Sequence, residues 1–458
     1  MTSPMQPIPM YHISITRLME RVMRVGKKEF MQDRSDCAVY LQRTQWVLDA
    51  LGNPEHKIPH YIHVGGTSGK GSTVAMIHNC IRAAGHRVGS TYSPHLTSFT
   101  ERFLVDDQFI SPSKFTPLAF EIEDVLDRCE KESPYGMISF FELMFIMSIM
   151  HFAREGVQYA VIEVGMGGRY DASNVIPTPD VTVITNVGRD HWQLIGPTRK
   201  DIAHEKSGII KRGTTLIHGV RTPELQQVLL QQCATEPPVT ILEPQLPQRV
   251  RVAQDGTDFV YDGNTYRVAA LGAHQAMNAG FAIEVARALH IPESAIRAGL
   301  AATTRPGCME RVDSSPTLYI DGAHNTDKMR ATVATLRALT APEIPVHVVL
   351  AISSDKDARA MIRLLAKRAT TLVATQYVPA GGKQPYAAAA LATIACEFMP
   401  ADRVRVIEDA HTAFTTVLAS ASKDAIVVCT GSLYLAGTLR SRYVSEDDIL
   451  LRGHNHLP

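Results

Sequence analysis

At 458 residues the chain exceeds the size that one hydrophobic core usually serves, so two domains are expected. An apolar share of 45% with 20% charged residues fits a globular protein, and 46 basic against 46 acidic residues give no global attraction to nucleic acid or an anionic membrane. The seven cysteines are scattered, odd in number and free of C-x-x-C spacing, which speaks against a disulfide framework or a zinc site and for reduced thiols in the cytoplasm.

The first 28 residues mix Pro, Arg and Met without the continuous apolar core of a signal peptide, and an organellar transit segment is the minor alternative. The first strong signal is Tyr61-Ile62-His63-Val64-Gly65-Gly66-Thr67-Ser68-Gly69-Lys70-Gly71-Ser72-Thr73. An extended apolar run breaks into small residues around one lysine, and a helical pattern (Val74, Ile77, Ile81) follows. Gly66, Thr67, Gly69 and Gly71 would let backbone N–H groups close around phosphate oxygens, at a helix N-terminus that adds partial positive charge. Lys70 would reach the outer phosphates, and Ser72 or Thr73 would offer a hydroxyl to magnesium. The spacing is the short G-T-x-G-K-G-S form, not the strict G-x-x-x-x-G-K-[ST]. A nucleoside triphosphate is the expected ligand.

Farther on, Phe140 to Phe152 reads as a buried helix, because Glu142 and Arg154 bracket the apolar run too tightly for a membrane span. Tyr159 to Val164 and Val181 to Val187 are short β-rich runs. Glu163 sits almost at the end of the first, where a buried carboxylate needs a strong partner such as Mg²⁺. His191 follows the second run and would emerge at the same sheet edge. Lys206 lies on a helix pattern running toward that edge, although by itself it reads as a surface lysine. Arg249 to Val268 resembles a hairpin-rich insertion, and helices follow from about Gln275 to Leu289 and Glu293 to Ala301.

Arg305-Pro306-Gly307 interrupts the pattern as a linker would, and a second series of strands begins at Leu318. Asp321 and His324 stand at its first strand-to-helix junction, either facing the first domain or capping the helix. Gly431-Ser432-Leu433-Tyr434 ends its last strand, as a small-carboxylate site or a plain turn, and the tail after Tyr443 reads as frayed. The whole predicts an α/β protein: residues 1–304 form a P-loop-type, mostly parallel sheet domain with the insertion, and 305–458 a smaller Rossmann-like domain.

In this order, these segments resemble the folylpolyglutamate synthase/dihydrofolate synthase family of muramyl-ligase-like enzymes. The likeness runs from Val47-Leu48-Asp49-Ala50-Leu51-Gly52-Asn53-Pro54 to Gly431-Ser432-Leu433-Tyr434-Leu435. It takes in Tyr92-Ser93-Pro94-His95, Thr100-Glu101-Arg102, the glycine turn with Asp171 and Asn174, Glu205-Lys206-Ser207-Gly208 and Leu271-Gly272-Ala273-His274-Gln275 with Asn278. The resemblance implies ATP-dependent coupling of glutamate to a folate or dihydropteroate carboxylate through an acyl phosphate, in a monomer without nucleic-acid or membrane partners. It implies that Ser72, Ser93, Glu163 and His191 hold magnesium, with K⁺ as a candidate further cation, and that Lys206 is carbamylated to present a carboxylate-like group. Lys70, Lys206, Asp321 and His324 would carry the chemistry, Gln275, Asn278 and Asp321 would contact the nucleotide, and His324 and Ser432 would lie near incoming glutamate.

Three departures stand out. Ser68 replaces an Asn in the loop, Arg189 replaces a Leu before Asp190-His191, and Cys308 replaces the arginine of the linker Pro-Gly-Arg that reaches ATP phosphates. A thiol cannot replace a bidentate cation, so Arg305 or Arg311 becomes the candidate to supply that charge, and Arg311 is taken as the phosphate ligand. The alternatives to a folate ligase are a related ligase with another carboxylate acceptor and a weakly active nucleotide-binding paralogue.

Overall fold

Two parallel-rich sheets form where the alternation of patterns predicts them. The computed structural model describes residues 7–24, 37–188, 192–379 and 382–457. Its first sheet holds β1 (His60–Gly65), β2 (Val88–Thr91), β3 (Leu104–Val105), β4 (Gln108–Phe109), β5 (Tyr159–Glu163), β6 (Val181–Ile184), β7 (Thr215–His218) and β8 (Thr240–Leu242). Their order is β4-β3-β2-β5-β1-β6-β7-β8, parallel from β2 to β8 and antiparallel at the β3 edge. Central β1 has both faces covered, so Tyr61 to Gly65 are all buried, His63 among them.

On one face, Ile62 and Val64 pack with Val74, Ile77 and Ile81 of helix Lys70–Ala83 and with Phe281 and Ile283 of helix Ala273–Ala288. The other face receives helix Phe140–Arg154. Glu142 enters that apolar helix because Arg43 Nε meets both its oxygens, at 2.7 and 2.9 Å. Among the described residues no helix is long and apolar enough to cross a membrane.

The insertion is a three-stranded antiparallel meander, β9 (Gln248–Ala253), β10 (Gly256–Tyr261) and β11 (Asn264–Val268), where a hairpin is expected. The last sheet follows the linker with β12 (Glu310–Ser314), β13 (Thr317–Ile320), β14 (Val346–Leu350), β15 (Thr371–Gln376), β16 (Val404–Asp409) and β17 (Ile426–Thr430). Its order is β12-β13-β17-β14-β15-β16, parallel except at β12.

The C-terminal end departs from expectation, and the N-terminal one adds a helix. Residues Pro7–Arg24 form a helix that buries Tyr11, Ile15, Leu18 and Val22, a three-and-four spacing that puts them on one face. The tail after Tyr443 is not frayed. Helix Glu446–Arg452, capped by Ser445, crosses back and puts Leu450 into the first sheet's core. Its Gly453 carbonyl accepts from Phe109 N of β4 at 2.6 Å.

Candidate active site

β1 delivers the chain into the glycine loop, which ends at Gly69 (φ 86), the N-cap of helix Lys70–Ala83. That φ suits glycine. The loop is tight because neighbours press on it: a Cβ on Gly66 would fall on Thr185 Oγ1, one on Gly69 on the Asn278 amide, and one on Gly71 inside the Arg305 guanidinium. Asn186 Oδ1 accepts from Thr67 N (3.1 Å) and Ser68 N (2.9 Å), and Thr185 Oγ1 donates to Ser68 O (2.7 Å). Lys70 Nζ and Lys206 Nζ both donate to Gly66 O, at 3.3 and 2.9 Å. Ser68 Oγ and Thr73 Oγ1 are buried without a hydrogen-bond partner among the described residues. Two ammonium groups around one carbonyl, unpartnered hydroxyls and a helix N-terminus together suit a polyanion.

Lys206 reaches the loop because its helix, Arg199–Ser207, docks on the glycine turn after β5. Asn174 Nδ2 ties that turn to the helix end by donating to Arg169 O (3.0 Å) and Gly208 O (3.1 Å), and Asp171 closes it by accepting from Met166 N at 2.9 Å. Lys206 is therefore buried, not a surface lysine.

Glu163, the last residue of β5, is 5% exposed and accepts from Ser93 N at 3.2 Å through Oε2. Ser72, Ser93 and Glu163 all line one cavity, and hard oxygen donors of this kind fit magnesium. Among the described residues no three His, Cys, Asp or Glu converge as a metal cluster. His191 and Arg189 lie outside the described residues. The loop bearing Ser93 is stiffened by Glu101, whose carboxylate accepts from Leu96 N, Thr97 N and Ser98 N at 3.0, 2.8 and 3.0 Å. Beside it, Arg102 Nε donates to His95 Nδ1 (2.9 Å), and burial followed by that charge pushes the His95 pKa down to about 3.

The last sheet faces the same cavity with Asp321, the residue after β13. Its Oδ1 accepts from Ala323 N (3.1 Å), Thr332 Oγ1 (2.7 Å) and Thr430 Oγ1 (3.2 Å), and Oδ2 accepts from linker Met309 N (3.0 Å). Asn325, not Asp321, caps the following helix, accepting from Lys328 N. His324 Nδ1 meets Gly322 O at 2.8 Å, which requires the proton on Nδ1 and leaves Nε2 to accept from Lys328 Nζ at 3.1 Å. The cavity, about 730 Å³, is lined by Thr67, Gly69, Lys70, Gly71 and Ser72, by Ser93, Glu163 and Asn278, and by Arg305, Asp321 and His324.

Other sequence candidates sit off the cavity wall. Gly66, Thr73 and Lys206 lie behind the loop. Gln275 is fully buried and orients Asn278 by accepting from its Nδ2 at 2.9 Å. Ser432 is buried and caps helix Leu433–Arg440 by accepting from Tyr434 N at 3.1 Å. Arg311 is a correction. Alternation along β12 turns Glu310 toward buried Arg440 and Arg311 outward, where its Nη1 is 3.4 Å from Gln254 Oε1, off the cavity. Arg305 lines the cavity instead. Asn186, unassigned from sequence, is the side chain that holds the loop; its place just past a β-run at the phosphate-loop edge was the available signal.

Residues 64–286 match the Mur ligase middle domain, and 307–433 match the Mur ligase glutamate ligase domain. The chain is 32% identical over 421 residues to the dihydrofolate synthase/folylpolyglutamate synthase of Bacillus subtilis, covering 88% of this chain and 94% of that one. Its fold is similar to Mycobacterium tuberculosis folylpolyglutamate synthase complexed with ADP, with TM-score 0.85, 31% identity and coverage of 96% and 100%. It is also similar to a bifunctional folylpolyglutamate synthase/dihydrofolate synthase with Mn, AMPPNP and L-glutamate bound, with TM-score 0.74, 25% identity and coverage of 88% and 93%.

Proposed function

Since the chain belongs to the folylpolyglutamate synthase/dihydrofolate synthase family of Mur ligases, we propose that it uses ATP to join L-glutamate to the carboxylate of a folate or dihydropteroate. The observation that carries this reading is one cavity shared by the phosphate loop and by the Asp321–His324 junction of the last sheet. A ligase must bring a phosphoryl donor and an amine to the same carboxylate, and such a cleft between two α/β units allows that. The unit of residues 1–304 would take ATP, and that of 305–458 would bring glutamate.

The acceptor carboxylate oxygen attacks the γ-phosphorus, the bond to the ADP oxygen breaks, and an acyl phosphate forms. Glutamate's amine, deprotonated to its neutral form, then attacks the acyl carbon, and the tetrahedral intermediate expels inorganic phosphate, which takes up the second amine proton. The loop N–H groups and Lys70 hold the phosphates throughout, while Asn278, oriented by Gln275, and Asp321 bear on the nucleotide. His324 and Ser432 lie on the side assigned to glutamate. Magnesium would be held by Ser72, Ser93 and Glu163, with His191 as the further ligand that the resemblance implies, and would neutralise phosphoryl charge. Lys206 in carbamylated form would add a carboxylate to that set, with K⁺ as a candidate further cation. Enclosure between the two units keeps water from the acyl phosphate. We read the enzyme as a cytoplasmic monomer whose partners are small molecules.

A phosphate-release assay with ATP, labelled glutamate and a panel of pteroate, dihydropteroate and tetrahydrofolate tests the reaction. Release should need acceptor and glutamate together; equal ATP hydrolysis with and without acceptor overturns the proposal. Lys206→Ala should cripple turnover with the fold intact and respond to added acetate, and isotope-labelled bicarbonate should label the parent protein at Lys206 alone. Full turnover in the alanine variant removes the lysine from the mechanism.

A further inference from the structure

The linker between the first and last sheets is stapled to the last. Met309 N donates to Asp321 Oδ2 (3.0 Å), Gly322 N to Gly307 O (2.8 Å) and Gly307 N to Glu310 Oε2 (2.9 Å). Glu310 is itself gripped by Arg440 Nε and Nη2, at 2.7 and 2.8 Å. This fixed platform carries Arg305 into the cavity, where its guanidinium lies against Gly71 at the start of the phosphate-loop helix. Its Cζ sits 5.6 Å from the centroid of the Tyr92 ring. Among the described residues the side chain makes that ring contact and no hydrogen bond or ion pair. The other arginines around the hinge differ: Arg440 is bidentate on a carboxylate, and Arg311 points away from the cavity.

A guanidinium with five unused donors, beside Lys70 and a helix N-terminus, concentrates positive charge that only an anion relieves. Cys308 adds none. Burial and nearby Asp321 push its pKa up, so it stays a neutral thiol, 3.9 Å from Gln275 Nε2. We propose that Arg305 is the guanidinium that grips the outer phosphates of the bound nucleotide, coupling phosphate occupancy to the position of the last sheet through the stapled linker. This rests on the ligase reading above. The fork geometry suits phosphate oxygens, and stacking on Tyr92 holds it ready before ligand arrives.

Calorimetric titration of the full chain with Mg-ATP and with adenosine tests this, using Arg305→Ala, Arg305→Lys, Arg311→Ala and Lys70→Ala beside the parent. Loss of a charge-assisted phosphate contact should weaken ATP in Arg305→Ala by about ten- to a hundredfold and leave adenosine unchanged. Arg305→Lys should fall between, because an ammonium keeps the charge but not the fork, and Arg311→Ala should match the parent. Parental ATP affinity in Arg305→Ala overturns the proposal. So does a parallel loss of ATP and adenosine binding with a lowered Tm, which would make Arg305 a packing residue on Tyr92. If Lys70→Ala alone weakens ATP, only the role of Arg305 falls; if neither variant does, the nucleotide reading of the cavity falls with it.

Discussion

The two sheet edges that meet at the cavity follow opposite rules. At the first, polar groups are left wanting: among the described residues Ser68 Oγ is buried without a hydrogen-bond partner and Arg305 has only a ring beneath it. At the last, Asp321 accepts four hydrogen bonds and Arg440, fully buried, meets Glu310 through Nε and Nη2, its Nη1 being the one buried atom there without a hydrogen-bond partner among the described residues. Unpartnered buried polar groups cost stability unless a ligand satisfies them, whereas a satisfied network rigidifies. The first edge is therefore built to receive and the last to hold a hinge in place. Removing a group from each should injure different properties.

The largest effect is expected at the holding edge. Glu310→Ala leaves Arg440 charged and buried, which should cost about 3–5 kcal/mol in urea unfolding. The Glu310→Ala, Arg440→Met pair should recover most of it, and no loss in the single variant would dissolve the contrast. At the receiving edge, Lys70→Ala should lower turnover by about a hundred- to a thousandfold, or about 2.7–4 kcal/mol, while the urea midpoint stays put. A destabilised Lys70→Ala protein would mean that both edges are structural.

Ending the chain at Val444 removes Leu450 from the first sheet's core and the Asn455 carbonyl from Arg440. The expected loss is about 1.5–3 kcal/mol from apolar burial. An unchanged midpoint would show that the holding edge does not need the tail.

The smallest effect is read against pH. His63 on β1 has Nδ1 buried without a partner, and burial followed by the charge of Lys211 lowers its pKa from 6.5 to about 3. The unfolded chain therefore takes up the proton first, so stability is full above about pH 6.5 and declines as pH falls toward 3. By pH 5 this histidine alone should have removed about 2 kcal/mol. Urea midpoints at pH 7 and 5 measure it, and His63→Asn should flatten the slope; an unaltered slope would assign the acid sensitivity elsewhere.

Contiguous residues by themselves determined the strand, loop and helix around Lys70, the two parallel-rich sheets and the segments that make the family recognisable. The reason is local: glycine conformations, a helix N-terminus and unbroken apolar runs are written in neighbouring positions. Several decisions were not local. Strand register sent Arg311 outward and left Arg305 at the loop, although the two look interchangeable in the linker. Packing turned Gln275 and Ser432 away from the cavity and drew Lys206 under Gly66, because helix docking sets which face of a helix is buried. The polar tail docks through Leu450, a contact with residues hundreds of positions earlier that periodicity within a short helix cannot reveal. Tertiary structure alone decided which charges are matched and which face the cavity, because electrostatic partners are chosen by distance in space and not by order along the chain.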